Sequence, residues 1–453
     1  MDELNEELWK LGILAKTEHN EVAPAQHELA PIYTTTNIAT DHNQLTMEIM
    51  QKVAAKHGLV CLLHEKPFAG VNGSGKHNNW SLATDKGVNL LSPGETPYEN
   101  AQFLLFLCAV IKAVDDYQDL LRLSVATAGN DHRLGANEAP PAVVSIFLGD
   151  ELNGVLEAIE NDTPYAGTEK TQMKLGVNVL PKFNRDTTDR NRTSPFAFTG
   201  NKFEFRMVGS RDSVAAPNVV LNTIVAEVFQ EVCDELEKAE DFDMKVHDLI
   251  KQFASEHQRI VFNGNGYSDE WVEEAKRRGL PNIRTTVESI EYLTTEKTVE
   301  LFEKFGVFTR AELESRAEIK YETYAKAINI EARAMIDIAS KHIIPAVIKY
   351  ITSLANSINQ VREACGDVGV SVQEELLKES SELLAQTRKA LKDLIVVTDE
   401  ACQMQEGPAQ AEFFKDRVVT GMQALREPVD ALEMIVNKEM WPMPSYGDLL
   451  FEV

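Results

Sequence analysis

The residues most able to carry chemistry begin with two glutamates in the stretch Glu21-Val-Ala-Pro-Ala-Gln-His-Glu28. Pro24 excludes a helix interior, and an unbroken strand would send the two carboxylates to opposite faces. A bend at Pro24 and Ala25 would bring them together. Paired carboxylates in a bent β segment suit a hard divalent cation such as Mg²⁺ or Mn²⁺, which takes oxygen ligands at roughly 2.0–2.2 Å. In isolation, the same pair is also typical of a solvated turn.

A glycine-rich segment follows, Lys66-Pro-Phe-Ala-Gly-Val-Asn-Gly-Ser-Gly-Lys-His-Asn-Asn-Trp-Ser81. It nearly satisfies the phosphate loop G-x-x-x-x-G-K-[ST], but His77 stands where that loop needs a hydroxyl. The residues after His77 predict a strand instead of the helix that follows such a loop. We therefore expect the glycines to let a backbone turn approach a ligand closely, with His77 pointing into the site.

Arginines occur in two further motifs. Arg133 and Glu138 belong to a glycine-containing loop, Asn130-Asp-His-Arg-Leu-Gly-Ala-Asn-Glu-Ala-Pro140. The stretch Asp189-Arg-Asn-Arg-Thr-Ser194 places two guanidinium groups close together, which indicates a phosphate or carboxylate site in an acidic protein. In isolation, either motif would by default be interpreted as surface ion pairs.

The stretch Lys202-Phe-Glu-Phe-Arg206 predicts a strand with two different faces. Period-two alternation puts Lys202, Glu204 and Arg206 on one face and both phenylalanines on the other. Such a strand buries its aromatic rings and presents a cation, a carboxylate and a second cation to a cavity. A solvent-facing strand would have the same pattern.

Composition excludes several classes of function. The 453 residues include 45 Lys and Arg against 71 Asp and Glu, a net charge of −26 that opposes nucleic-acid binding. The longest apolar run, Phe103 to Ile111, is far shorter than the ~20 residues of a spanning helix, so no membrane association is expected. Five scattered cysteines without a CxxC pair and an acidic N-terminus without an export signal predict a cytoplasmic protein.

Hydrophobic periodicity predicts the elements that must position these residues. Helices are predicted over Asp41–Lys56, Pro97–Leu123, Val214–Lys238, Met244–Ala254, Ser371–Met404, Pro408–Asn437 and, as one very long helix kinked at Pro345, Thr309–Ile358. Gly407 and Pro408 separate the last two helices, and an antiparallel helical bundle is the economical arrangement for this region. Short strands are predicted at Val60–His64, Trp80–Leu82, Ala142–Leu148 and Lys202–Arg206.

Taken in order, the motifs E-V-x-P-A-Q-x-E, K-P-F-x-G-x-N-G-S-G-x-H, R-L-x-x-x-E-A-P, R-N-R and K-F-E-F-R resemble those of the glutamine synthetase superfamily. The sequence from Asn191 to Asn201 and the helical C-terminal extension resemble those of its bacterial type III branch. The resemblance implies an α+β fold, with a curved antiparallel sheet that forms a partial barrel backed by helices. It places the catalytic domain at residues 1–325, a helical bundle extension at 326–438, and a tail at 439–453 that packs back on the catalytic domain.

The resemblance also implies a role for each matched residue. The implied metal ligands are Glu21 and Glu28 for the metal beside glutamate, and His77 and Glu204 for the metal on the ATP phosphates. The implied substrate contacts are Asn72, Gly73, Arg133 and Arg206, and the implied ATP contacts are Ser81, Arg192 and Lys202. The implied catalytic residues are Arg133, Arg206 and Glu138, the last being the flap glutamate that closes over the acyl-phosphate.

The implied reaction is the ATP-dependent ligation of ammonia to L-glutamate through γ-glutamyl phosphate, giving glutamine, ADP and phosphate. Mg²⁺ or Mn²⁺ would be the cofactor, ATP the co-substrate, and a large ring-type homo-oligomer the assembly. A non-catalytic or truncated homologue and a related γ-glutamyl-amine ligase are the alternatives.

Two departures from the family pattern qualify this interpretation. The family's N-terminal β-grasp domain and a strand with further glutamates have no counterpart before Glu21, so the chain is interpreted as the C-terminal majority of a type III enzyme. We expect it alone to bind ATP weakly and to make little glutamine until the missing segment is fused or co-expressed. In addition, Ala197 occupies the position of another phosphate-binding arginine.

Overall fold

A computed structural model describes residues 1–21, 23, 25–68, 70–135, 139–165, 193–366, 368–445 and 448. They fall into two compact units, Met1–Leu313 and Glu314–Val453, named here the first and second unit. Within the described residues, no helix is both long and apolar enough to span a bilayer. The architecture is α+β, as the sequence predicts.

The described part of the first unit forms two small sheets. Strands β1 (Ala15–Asn20) and β2 (His27–Pro31) form an antiparallel pair. The second sheet has the order β3-β6-β5-β4, and its strands are β3 (Gly75–Trp80), β4 (Ile146–Phe147), β5 (Phe196–Phe198) and β6 (Phe203–Gly209). The pairs β3·β6 and β5·β6 are antiparallel, whereas β4 and β5 are parallel. The sheet is open.

Helices surround these sheets. They are α1 (Asp2–Lys10), α2 (Thr36–Lys56), α3 (Ala101–Asp116), α4 (Gln118–Leu123), α5 (Ala128–Asp131), α6 (Asp150–Glu160), α7 (Ala215–Glu237), α8 (Phe242–His257), α9 (Asp269–Arg277), α10 (Thr286–Ile290), α11 (Glu296–Lys304) and α12 (Arg310–Ile338). Short 3₁₀ turns lie at Pro97–Glu99, Gln258–Ile260 and Glu291–Thr294. The side chain of Asn100 accepts a hydrogen bond from the Phe103 amide at 3.0 Å, which fixes the start of the apolar helix α3.

An aromatic core lies behind β6. Phe203 stacks on Phe196 with ring centroids 4.7 Å apart, and Phe198 packs edge-on against Phe203 at 5.2 Å. All three rings are buried, and Phe205 beside them is fully buried. This apolar layer fixes the register of β6 and therefore determines which of its residues face the other side.

The second unit is helical. It contains most of α12, then α13 (Ile344–Cys365), α14 (Ser371–Gln403), α15 (Pro408–Phe413) and α16 (Val419–Glu433), with π-helical turns at Ala339–Ile343 and Phe414–Val418. The first π turn ends two residues before Pro345, whose missing N–H and bulky ring disfavour a regular α-helical turn in the preceding residues. Ile343, Val347, Tyr350, Leu432 and Val436 form a buried cluster, and Trp441 packs against it.

Most predicted helices are present with shifted ends, but the predicted strand Val60–His64 is wrong. This segment is irregular, and no other described segment pairs with it. Alternating apolar residues favour an extended backbone, yet a strand also requires a hydrogen-bonding partner. Leu59, Val60 and Leu62 are consequently exposed.

The predicted strand Ala142–Leu148 reduces to Ile146–Phe147. The described residues form compact units that divide at Leu313, and the predicted domain boundary at 325/326 stays a prediction. The return of the tail to the catalytic domain stays a prediction.

Candidate active site

The two glutamates of the first motif meet at the turn between β1 and β2. The Glu21 amide donates to the Gln26 carbonyl at 3.0 Å, and Ala25 has a φ of +50°, a left-handed conformation that lets the chain reverse within a few residues. In the register of the pair, His19 lies opposite Glu28. The Nε2 atom of His19 is 2.7 Å from Glu21 Oε1 and 2.8 Å from Glu28 Oε2. The bend predicted from the sequence is therefore present and brings both carboxylates together.

The acidic residues at this turn affect the protonation of Glu28. Burial and the adjacent carboxylate of Glu21 raise the pKa of Glu28, and the negative charge of Glu204 adds to that rise. Glu204 lies on β6, in a different sheet from β1 and β2. Three acidic side chains from two sheets thus lie within electrostatic reach of one another. A divalent cation would relieve their repulsion, so the donor set fits the cofactor that the sequence predicts.

Glu204 and Arg206 form a buried ion pair on β6. The Arg206 Nη2 and Nε atoms donate to Glu204 Oε2 at 2.8 and 3.1 Å, and Nη1 donates to the Ser194 carbonyl at 3.3 Å. The two side chains are only 7% and 4% exposed. Ala197 on β5 pairs directly with Glu204.

The glycine-rich segment lies next to the Glu21 turn. The Gln26 side chain donates to the Gly73 carbonyl at 3.4 Å. A Cβ at Gly73 would lie 2.8 Å from the Glu65 carbonyl oxygen, so glycine is needed for this close packing. The predicted substrate-binding residues Asn72 and Gly73 are partly exposed beside this turn.

Arg133 lies beneath that segment and is almost fully buried. Its Nη2 atom donates to the Arg206 carbonyl at 2.9 Å, and Nη1 donates to Asn130 Oδ1 at 3.3 Å. A Cβ on Gly75 would collide with the guanidinium. Burial lowers the pKa of Arg133 to about 10, and the charge of Glu65 opposes that change. Arg133 therefore supports the backbone of the site from below, and its predicted contact with substrate stays a prediction.

Sequence reasoning missed a buried charged group beside Arg133. Glu65 is fully buried, and burial together with the charge of Asp212 raises its pKa. The Lys76 ammonium donates to the backbone carbonyls of Gly209, Ser210 and Asp212 at 3.1, 2.6 and 2.6 Å. Burial lowers the pKa of Lys76 to about 8. These residues lie far apart in sequence, so no local pattern indicates that they meet.

The remaining predicted residues occupy β3 and the residues around it. His77 shares the exposed face of β3 with Asn79, which pairs with Glu204. Ser81 Oγ donates at 2.8 Å to the carbonyl of Asn201, the residue before Lys202, so two of the three predicted ATP contacts, Ser81 and Lys202, lie close together. The predicted Glu138 and Arg192 lie outside the described residues.

His19 is the other residue that the sequence reasoning missed. It precedes Glu21 by two positions, and residues two apart on a strand share a face. That spacing was the available signal. The described residues contain a second cluster of potential ligands, Asp115, Asp116 and His257, but the Arg259 guanidinium donates to both Asp115 oxygens at 2.9 Å.

Two family models match this chain. The model of the glutamine synthetase catalytic domain matches residues 1–138, and that of the glutamine synthetase C-terminal domain matches residues 245–362. The sequence is 47% identical to the glutamine synthetase of Butyrivibrio fibrisolvens over 100% of this chain and 65% of that protein. It is 46% identical to the type-3 glutamine synthetase of Dictyostelium discoideum over 100% of this chain and 62% of that protein.

A cryo-EM structure of the Plasmodium falciparum glutamine synthetase is 15% identical to this chain and superimposes with a TM-score of 0.45, covering 71% of this chain and 57% of that one. The chain spans less than two thirds of the length of the two relatives named above. The two family models define the class of the chain, that of glutamine synthetase domains. The chain belongs to the glutamine synthetase family, which confirms the resemblance found in its motifs.

Proposed function

We propose that this chain carries the catalytic site for ATP-dependent ligation of ammonia to L-glutamate through γ-glutamyl phosphate, giving glutamine, ADP and phosphate. The observation that carries the proposal is that Glu21, Glu28 and Glu204 lie within electrostatic reach of one another. Glu204 also forms a buried ion pair with Arg206, which brings a guanidinium to the same group. Such a group combines cation-binding carboxylates with a guanidinium that can stabilise a transferring phosphoryl group. Family membership supports a ligase in general.

The reaction consists of two balanced steps. An oxygen of the glutamate γ-carboxylate attacks the γ-phosphorus of ATP, and the bond from that phosphorus to the ADP oxygen breaks. Ammonia then attacks the acyl carbon, nitrogen loses a proton, and phosphate departs with the former carboxylate oxygen. Negative charge accumulates on the phosphoryl oxygens in the first step, and Arg206 is the described residue proposed to stabilise it. Glu138 is proposed as the residue that excludes water and helps to remove the proton.

The remaining roles follow the same proposal. Glu21 and Glu28 would hold one divalent cation, and His77 and Glu204 a second. When bound, these cations neutralise charge on the phosphates. Asn72 and Gly73 are proposed to bind the glutamate α-amino end, with Arg133 and Arg206 at its carboxylates. Ser81, Lys202 and Arg192 are proposed to bind ATP. A large ring-type homo-oligomer and a cytoplasmic location stay predictions of the sequence.

The test measures the transfer of an oxygen atom from the glutamate γ-carboxylate to the released phosphate. Glutamate labelled with ¹⁸O in its γ-carboxylate is supplied with ATP, ammonia and Mg²⁺ or Mn²⁺, and the released phosphate is examined by mass spectrometry. The reaction is run with this chain alone and with the chain mixed with the part of the Butyrivibrio fibrisolvens protein that it does not cover. We expect one ¹⁸O atom per phosphate, and we expect Glu204→Gln to abolish the transfer.

Two results would contradict the proposal. Glutamine formation with unlabelled phosphate would exclude the acyl-phosphate route. Failure to form glutamine in both preparations, while the intact Butyrivibrio protein is active under the same conditions, would exclude the ligation itself.

A further inference from the structure

The side chain of His19 lies between the two glutamates of the β1–β2 turn. Its Nε2 atom is 2.7 Å from Glu21 Oε1 and 2.8 Å from Glu28 Oε2, and one ligand atom from each of the three residues lies within 4.8 Å of the others. A single ring nitrogen carries at most one proton. Nε2 can therefore donate a hydrogen bond to both carboxylate oxygens only if the two oxygens share that proton. A cation placed among the three atoms would satisfy all of them.

We propose that His19 is a third ligand, through Nε2, of the cation held by Glu21 and Glu28. This inference rests on the proposed function, because that function makes the two glutamates metal ligands. In an octahedral site with bonds of roughly 2.1–2.2 Å, neighbouring ligand atoms lie about 3 Å apart. The two separations at His19 therefore need to widen by only a few tenths of an ångström.

The backbone already holds His19 in position for this role. β1 pairs with β2 so that His19 is directly opposite Glu28, while Glu21 follows on the same side of the chain. His19 is about half exposed, so a hydrated cation can reach the group from solvent. The three ligand atoms can separate slightly while the backbone hydrogen bonds between β1 and β2 stay in place.

An imidazole ligand changes which metal the site prefers. Mg²⁺ takes oxygen ligands almost exclusively, whereas Mn²⁺ and Zn²⁺ accept imidazole nitrogen more readily. A site of one imidazole and two carboxylates should therefore favour Mn²⁺ over Mg²⁺ more strongly than a site of carboxylates alone. His19 thus determines metal preference at the proposed glutamate-side cation.

The experiment measures metal binding without turnover. Mn²⁺ and Mg²⁺ affinities are determined by EPR and by competition, and pulsed EPR detects ¹⁴N coupling from a coordinated imidazole. All variants carry His77→Gln, which removes the imidazole proposed to bind the second metal. His19→Gln is compared with the control His27→Gln, whose Nδ1 atom is 2.8 Å from Asn20 Oδ1 on the same strand pair. Circular dichroism checks that each variant is folded.

We expect His19→Gln to weaken Mn²⁺ binding by about tenfold or more, to change Mg²⁺ binding less, and to remove the ¹⁴N coupling. His27→Gln should change none of these. If Glu21→Gln leaves Mn²⁺ binding unchanged, the metal site itself is misassigned and the proposed function fails with it. If Glu21→Gln abolishes binding while His19→Gln keeps both the affinity and the ¹⁴N coupling, only the role of His19 is wrong.

Discussion

Replacing Glu204 with glutamine should destabilise the first unit substantially. The substitution keeps the shape of the side chain but leaves the Arg206 guanidinium buried without its carboxylate. Removing one partner of a buried ion pair costs about 3–5 kcal/mol. Arg206 retains its hydrogen bond to the Ser194 carbonyl, and the new amide oxygen can still accept one bond. We therefore expect a loss near the lower end, about 3 kcal/mol in the free energy of unfolding.

A surface pair in the same unit provides the matched control. Arg310 Nη2 donates to both oxygens of Glu296 at 2.7 and 2.8 Å, but these side chains are 44% and 67% exposed. Exposed ion pairs contribute about 0–1 kcal/mol because water solvates the separated charges. Glu296→Gln should therefore cost at least about 2 kcal/mol less than Glu204→Gln.

Urea unfolding followed by tryptophan fluorescence measures this difference. A Trp441→Phe background removes the only tryptophan of the second unit, so the signal comes from the other three, Trp9, Trp80 and Trp271. Both variants should unfold with the same dependence on urea concentration as their parent. Equal losses of stability in the two variants would refute the argument that the Glu204–Arg206 pair is shielded from water.

Two further predictions concern buried titratable groups. Burial raises the pKa of Glu65 above its usual 4.5, so the folded chain keeps a proton that the unfolded chain has released, and stability falls as pH rises through that interval. Glu65→Gln should remove this fall in the free energy of unfolding, measured by urea unfolding at a series of pH values. If the free energy of unfolding of the variant falls with pH as steeply as that of its parent, this assignment to Glu65 is wrong. Complete burial raises the pKa of Cys108 to about 12, so iodoacetamide at pH 8 should leave this thiol intact in the folded chain. Mass spectrometry should find the three exposed cysteines alkylated first, and early modification of Cys108 would argue against its burial.

The sequence was informative where a local rule decides the structure. Pro24 and Ala25 predict a bend between two carboxylates, and alternation in β6 predicts Glu204 and Arg206 on the face opposite Phe203 and Phe205. Both arrangements are present. A proline between two carboxylates and the two-residue period of a strand are signals that a single sequence displays directly.

The sequence was less informative where distant segments determine the outcome. The apolar pattern at Val60–His64 cannot reveal whether another strand pairs with it. Glu65, Lys76 and Asp212 are polar residues in ordinary loop or strand positions, and only the packing of several separate segments buries them together. Whether a charged side chain is buried depends on the packing of the whole core. It therefore cannot be predicted from the residues next to it in sequence.

The π turn at Ala339–Ile343 has a consequence for insertions and deletions in the second unit. A π turn accommodates one more residue than the α-helical turn it replaces. Deleting one residue there would therefore restore a regular helix and leave the residues of α13 facing the way they face now. Deleting one residue from the regular α-helical turns after Ile344 would instead rotate everything that follows by about 100° around the helix axis. Tyr350 would then leave the buried cluster that it forms with Val347, Leu432 and Val436. The π turn is therefore a position in the second unit where the loss of one residue preserves the buried face, whereas the same loss one turn later does not.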